Sequence, residues 1–230
     1  MNSNSLFNNI ISLFYPKVCA VCKERLMGKE EFLCLHCFSD LPKTNYHLIA
    51  SNPAAERFYG KIPIQKACAY LYYNKGGMAQ KIVEEIKYHG NRKLGICCGG
   101  MIAKDLIDST FFSEIDLLVP VPLHPGKKKK RGFNQTEIIA KGISEITKIP
   151  VDTRNIRRTR ANESQTTKNI FERYRNTVNL FELTDSHAME NKHILLIDDV
   201  LTSGSTLEAV ARAVLHVKGL KVSILTLALA

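Results

Sequence analysis

Apolar and polar positions are organised in two periods along this chain. Residues 115–119, 194–197 and 222–227 are short apolar runs of strand length. Between them Ile139, Ile143 and Ile146 continue one helical face, opened by Asn134 with Glu137 three residues on and closed before Pro150. Leu207, Val210, Ala211 and Val214 recur at i, i+3, i+4 and i+7, a second helical face. Upstream, residues 67–73 read as a strand, 74–77 as a turn, Met78, Ile82 and Ile86 as a helix face, and 94–106 as a further helix. Strands alternating with helices from 115 onward predict a parallel α/β sheet flanked by helices.

Other segments break this rhythm. Pro120 and Pro122 are expected to end the strand at 115–119, because proline donates nothing to a ladder. The stretch 123–133, with Lys127 to Lys130 and Arg131, reads as a basic loop. Residues 151–190 are long, polar and arginine-rich, with strand character only at 178–181. A segment of that kind inside a domain reads as a lid or binding loop. Residues 46–63 have no clear period and read as a connector between a module at 1–45 and a larger domain at 64–230. Leu6, Phe7, Ile10, Ile11 and Phe14 fit one helical face, read as packing on the protein's own surface rather than on a membrane.

With 45% hydrophobic and 23% charged residues, the 230-residue chain is of ordinary globular composition. No apolar run approaches the roughly 18 residues that span a bilayer. The first residues have no basic leader, so a secretory signal is not expected. A net charge of +10 favours acidic partners such as phosphates or nucleic acid.

Seven cysteines, an odd number, argue for reduced thiols in the cytoplasm. Four of them form two C-x2-C knuckles, Cys19/Cys22 and Cys34/Cys37, with eleven residues between. Each knuckle aims two thiolates at one point, and two knuckles complete a tetrahedral structural zinc site. Gly28 lies where the intervening hairpin turns. Redox use of the pairs is the rival reading, and His36, inside the second knuckle, is a possible substitute ligand. Cys68, Cys97 and Cys98 read as small core residues.

The chemistry concentrates in ILLIDDVLTSGST, residues 194–206. A strand runs into Asp198 and Asp199, and Thr202, Ser203, Gly204, Ser205 and Thr206 follow at the start of a helix. A helix N-terminus offers unpaired N–H groups and a positive dipole to a terminal phosphate. The acids repel phosphate but suit sugar hydroxyls or a magnesium shell. One ligand satisfies both halves: a sugar phosphate. Helix capping would explain one polar residue here, not this set. A nucleotide hydrolase would need G-x-x-x-x-G-K-[ST], and no Gly-Lys in this chain precedes Ser or Thr.

The stretch 194–206 resembles the phosphoribosyl diphosphate (PRPP) loop of type I phosphoribosyltransferases. VPVPLH at 119–124, RGFNQ at 131–135, IKYHGNR at 86–92, Gln165, Arg173, Asn176 and the cysteine quartet together resemble the ComF family of competence and DNA-uptake proteins. The loop departs mildly, with Thr-Ser-Gly where Thr-Thr-Gly is commoner. The resemblance implies a type I phosphoribosyltransferase-like fold with a small N-terminal four-Cys zinc module. It implies that Asp198 and Asp199, the candidate catalytic pair, contact ribose hydroxyls. Residues 202–206 would cradle the 5′-phosphate, with magnesium accompanying PRPP. Arg131 is the expected pyrophosphate contact, since its fork matches a phosphate. Lys87, Arg158, Arg160 and Arg173 are further pyrophosphate or lid candidates. Lys127 to Lys130 are equally a solvated basic run, and Lys87 and Arg92 equally a charged helix end.

Two functions follow. One is handling of single-stranded DNA during uptake, in company with DNA-uptake machinery proteins. Basic residues would meet phosphates there, and Tyr70, Tyr72, Tyr73 and Phe133 would offer stacking if they are not core. The other is transfer of ribose 5-phosphate from PRPP to a base or amine. No general base or acceptor pocket is nominated by the sequence.

Overall fold

The computed structural model describes residues 16–159 and 180–230. The helical face at residues 6–14, Arg160, Gln165, Arg173 and Asn176 lie outside the described residues.

In chain order the strands are β1 (Ala67–Tyr72), β2 (Leu117–Pro120), β3 (Ile156–Arg158), β4 (Phe181–Leu183), β5 (His193–Leu201) and β6 (Lys221–Leu229). Four of them form one parallel sheet in the order β1-β6-β5-β2. The central pair is buried along most of its length, which is why β5 and β6 read as nearly continuous apolar runs. The helices are α1 (Leu35–Ser39), α2 (Pro53–Glu56), α3 (Met78–Tyr88), α4 (Arg92–Leu106), α5 (Pro125–Arg131), α6 (Gln135–Thr147) and α7 (Ser205–Val214). None of the described helices is long and apolar enough to cross a membrane.

The apolar faces read from sequence are turned to the core, with Met78 and Ile146 half-buried at their ends. Helix α3 buries Ala79, Ile82, Val83 and Ile86, and α7 buries Leu207, Val210, Ala211 and Val214. Each fully buried Leu, Ile or Val contributes roughly 1.5–3 kcal/mol relative to exposure. Asn134 caps α6 by accepting from the Thr136 N–H, and its amide donates to the Val121 carbonyl 3.0 Å away. That side chain therefore fixes where α6 leaves β2. Helices α4 and α6 cross through glycines: a Cβ at Gly99 would fall 2.1 Å from the Ile139 carbonyl oxygen, and one at Gly142 2.0 Å from that of Ile96.

Four expectations are corrected. The acids were expected after the strand, but β5 continues through them to Leu201. The nine-residue β6 runs alongside and pairs Asp198 with Thr226 and Val200 with Ala228, so the neighbouring backbone carries the ladder past the polar residues. Pro120 closes β2 from inside, opposite Ile197, which an outer strand tolerates. The basic stretch is not all loop: Pro125 occupies the first turn of α5, and Gly132 ends it at φ 74°, its N–H bonded to the Lys128 carbonyl. Finally, 156–158 is a strand, antiparallel to β4. Ile-Arg-Arg has one apolar residue and offers no alternation to read.

Residues 46–63 are packed. Tyr46, Ala54, Ala55, Phe58 and Ile62 are buried, and the Asn52 amide donates to the carbonyls of Ile49 and Ala67, bringing the segment onto β1.

Candidate functional site

In a parallel sheet the strands all end at one edge. There β5 gives way to Thr202, Ser203 and Gly204 before α7, while β2 leads into α5 and α6. Gly204 precedes α7 at φ 80°, a left-handed conformation that disfavours side chains. A Cβ there would also press on the Phe58 ring at 3.0 Å. The Ser203 hydroxyl accepts from the Ser205 N–H and lies 3.1 Å from the Ser205 hydroxyl. Thr202, Ser203 and Ser205 are exposed, and Thr206 is half-buried. Asp198, Thr202, Gly204, Ser205, Thr206 and Leu207 line a pocket of about 30 Å³, and Ser203 is not part of its lining.

The two acids have different surroundings. Asp199 is buried, and its Oδ2 accepts from the Lys87 ammonium at 2.8 Å and from the Gln135 amide at 2.8 Å. Asp198 accepts from the Asp199 N–H at 2.9 Å. Burial and the charge of Asp199 push the Asp198 carboxyl up to about 7, opposed by that N–H, by Lys87 and by Arg158. Asp198 thus resists ionisation beside the charge of Asp199.

Lys87 and Gln135 extend this centre toward the basic elements. Arg131 Nη1 donates to Gln135 Oε1 at 2.8 Å, so Arg131, Gln135, Asp199 and Lys87 form one chain of contacts. Beside it opens a cleft of about 480 Å³, lined by Lys87, Tyr88, His89, Gly90, Lys127, Lys130, Arg131 and Phe133. Lys128 turns instead to Glu137. Arg158 lies against the Phe181 ring, 5.4 Å from its centroid, and its buried Nε has no hydrogen-bond partner among the described residues. Arg92 donates to the Gly132 carbonyl and stacks over Phe133, so it fixes the turn between α5 and α6 rather than facing the cleft.

The expected stacking residues do not form a platform. Tyr70 and Phe133 are buried, Tyr73 is half-buried, and Tyr72 packs edge-on against Tyr46. Gln135 and Phe58 gave no signal as isolated residues; the RGFNQ stretch contained the first, and only the fold reveals the second.

The four knuckle cysteines form the second centre. Their sulfurs lie within 4.8 Å of one another, and Cys22 and Cys34 are 3.7 Å apart. A tetrahedron of thiolates about 2.3 Å from a central zinc has edges of about 3.8 Å, so the donor set fits that metal. Backbone N–H groups of Val21 and Cys34 point at Cys19 Sγ. Burial opposes ionisation of Cys19, but backbone N–H groups outweigh it and pull the thiol down to about 6. Gly28, at φ 55°, turns the hairpin between the knuckles. His36 faces outward toward Asp40 and stands apart from the cluster.

A family model described as phosphoribosyl transferase domain matches residues 100–230. The Bacillus subtilis competence protein ComFC is 34% identical over 210 residues, covering 83% of this chain and 81% of its own. The chain belongs to the ComF family. This ComF-family chain is also 25% identical to the DNA utilization protein YhgH of Escherichia coli, over 90% of this chain and 87% of that one. Competence protein F of Haemophilus influenzae is 29% identical over 98 residues, 42% of this chain and 43% of its own. The family-model match at residues 100–230 takes in the edge where β5 ends, with Asp198, Asp199 and residues 202–206.

Proposed function

We propose that this chain binds PRPP with magnesium at the carboxyl edge of the sheet and handles single-stranded DNA during DNA uptake. The reading is carried by one observation: a small pocket at a helix N-terminus, an acid pair, and a basic cleft joined through the Lys87–Asp199 contact. Thr202, Ser203, Gly204, Ser205 and Thr206 would hold the 5′-phosphate, where the first N–H groups of α7 and its dipole favour an anion. Asp198 and Asp199 would accept from the ribose hydroxyls, and their oxygens are the donors a magnesium ion takes. Magnesium would supply charge neutralisation for the diphosphate. Arg131 and Lys87 would meet the pyrophosphate, with Arg158, whose charge bears on Asp198, as a further candidate. Arg160 and Arg173 keep their role as lid candidates. The family's competence and DNA-utilization names support the DNA role, as does the net charge of +10. The four cysteines would hold one structural zinc, and the seven free thiols suit the cytoplasm.

Thermal denaturation tests the site. Millimolar PRPP with magnesium should raise the melting temperature, and Asp198→Asn should remove the shift; no shift in the parent protein refutes the site. Binding of single-stranded DNA should weaken steeply with added salt. Binding that is absent, or indifferent to salt, refutes the DNA role. Metal analysis should find one zinc per chain, lost in Cys34→Ala.

The acid pair favours a second reading, an active phosphoribosyltransferase acting on a base or amine. Pyrophosphate release from PRPP would then need an acceptor and vanish in Asp199→Asn. No release across a panel of nucleobases and amines rejects it.

A further inference from the structure

One exposed aromatic ring beside the cleft is used by neither the sugar-phosphate pocket nor the core. Tyr88 ends α3 and is 70% exposed, although its neighbours Ile86 and Lys87 are engaged. The Arg131 guanidinium lies over its ring, 5.4 Å from the centroid, and the same guanidinium is anchored to Gln135. The ring is therefore steadied at the wall of the cleft. Around it stand Lys87, His89, Lys127, Lys130 and Arg131, and among the described residues no carboxylate lines the cleft. Lys127 and Lys130 are three residues apart on α5, hence neighbours on one helix face about 5–6 Å apart.

A diphosphate would engage these cations and leave the ring without a role. An acidic peptide would do the same. A ligand that needs both carries a flat π-face beside phosphates. In a duplex each base has both faces covered by its neighbours, so the face must come from an unpaired base.

We propose that Tyr88 is a stacking platform for one nucleobase of a single strand, with Lys127 and Lys130 on its flanking phosphates. The inference rests on the reading of this chain as a handler of single-stranded DNA and assigns that role to one cleft. Arg131 backs the ring on one side, so the base takes the other.

Fluorescence anisotropy with a short oligothymidylate, and with an abasic oligomer of the same length and backbone, tests it. The parent protein should prefer the oligothymidylate. Tyr88→Ala should weaken that oligomer roughly ten-fold and leave the abasic one unchanged, while Tyr88→Phe keeps the preference. Tyr88→Ala should melt as the parent does, since the side chain is exposed. Lys127→Ala with Lys130→Ala should weaken both oligomers and flatten the slope of log affinity against log salt by about 1.4, two phosphate contacts at about 0.7 each. If the parent binds oligothymidylate and Tyr88→Ala binds it equally well, the platform is refuted while the DNA role stands. Equal affinity of the parent for both oligomers refutes it too, as does thymidine monophosphate binding as tightly as the strand. If the parent binds neither oligomer, the DNA role itself falls and this inference with it.

Discussion

Asp198 sits where burial and the Asp199 charge both oppose its ionisation, yet magnesium and ribose hydroxyls prefer it ionised. Without ligand, its raised folded-state value means that its contribution to stability is complete below the unfolded value near 3.8 and is lost as pH rises toward about 7. Magnesium–PRPP bound at this site would reverse the preference and expel a proton. Magnesium–PRPP affinity should therefore rise between about pH 6 and 8, with proton release near neutrality seen as a buffer-dependent calorimetric enthalpy. Asp198→Asn should abolish both effects, and an affinity flat across that range in the parent contradicts the assignment. At the other end of β5 the sign is opposite. Burial lowers the titration of His193, whose Nε2 lies 2.9 Å from the Ser223 hydroxyl. Its stability contribution is complete above its unfolded value near 6.5 and is lost as pH falls through the lower folded one. A His193→Gln variant should lose less stability on mild acidification than the parent, read by urea unfolding at several pH values.

Helices α4 and α6 touch where two glycines meet two carbonyls. The contact is backbone to backbone, and no side chain can rotate out of the way. Gly142→Ala should cost about 1–3 kcal/mol or more by overpacking, read as a lowered denaturation midpoint. Gly100, on α4, has open space at its Cβ position, so Gly100→Ala should be neutral or slightly stabilising. Legibility from sequence followed the same division between face and contact. The apolar faces of α3, α6 and α7 were readable because burial on one side imposes a period. The glycine crossing was not, since glycine carries no hydropathy signal and its partner is distant in sequence. Helix α5 was obscured by its charge: Lys127 to Lys130 suggested a solvated loop, although proline first and glycine last were the helix signals. The acids and hydroxyl loop were legible because a strand–helix junction demands particular residue types. Lys87 and Gln135 converge on Asp199 from α3 and α6, a convergence that no local pattern in the sequence encodes.

The described elements join the segments before and after residue 100 into one sheet. The phosphoribosyl transferase match begins at 100, but β1 pairs along β6 from Ala67 to Tyr72. Phe58 lies beneath Gly204, Arg57 reaches the Ala230 carbonyl, and Arg212 reaches the Lys61 carbonyl. The loop that would hold the phosphate is thus shaped by residues about 145 positions earlier, as the separation of Gly204 and Phe58 records. A fragment cut at residue 100 should expose the edge of β6, a row of unpaired backbone groups that invites pairing between chains. It should aggregate, or lose PRPP-induced stabilisation, in a sedimentation assay beside the full chain; a monomeric fragment with an unchanged shift contradicts this.

The Phe58–Gly204 contact also bears on how such a chain can diversify. Sequence drift in residues 46–63 is not free, because a smaller ring at 58 would loosen the floor of a pocket formed by residues far along the chain. Grafting this cysteine module onto another sheet, or this sheet onto another module, would have to carry that floor across the splice.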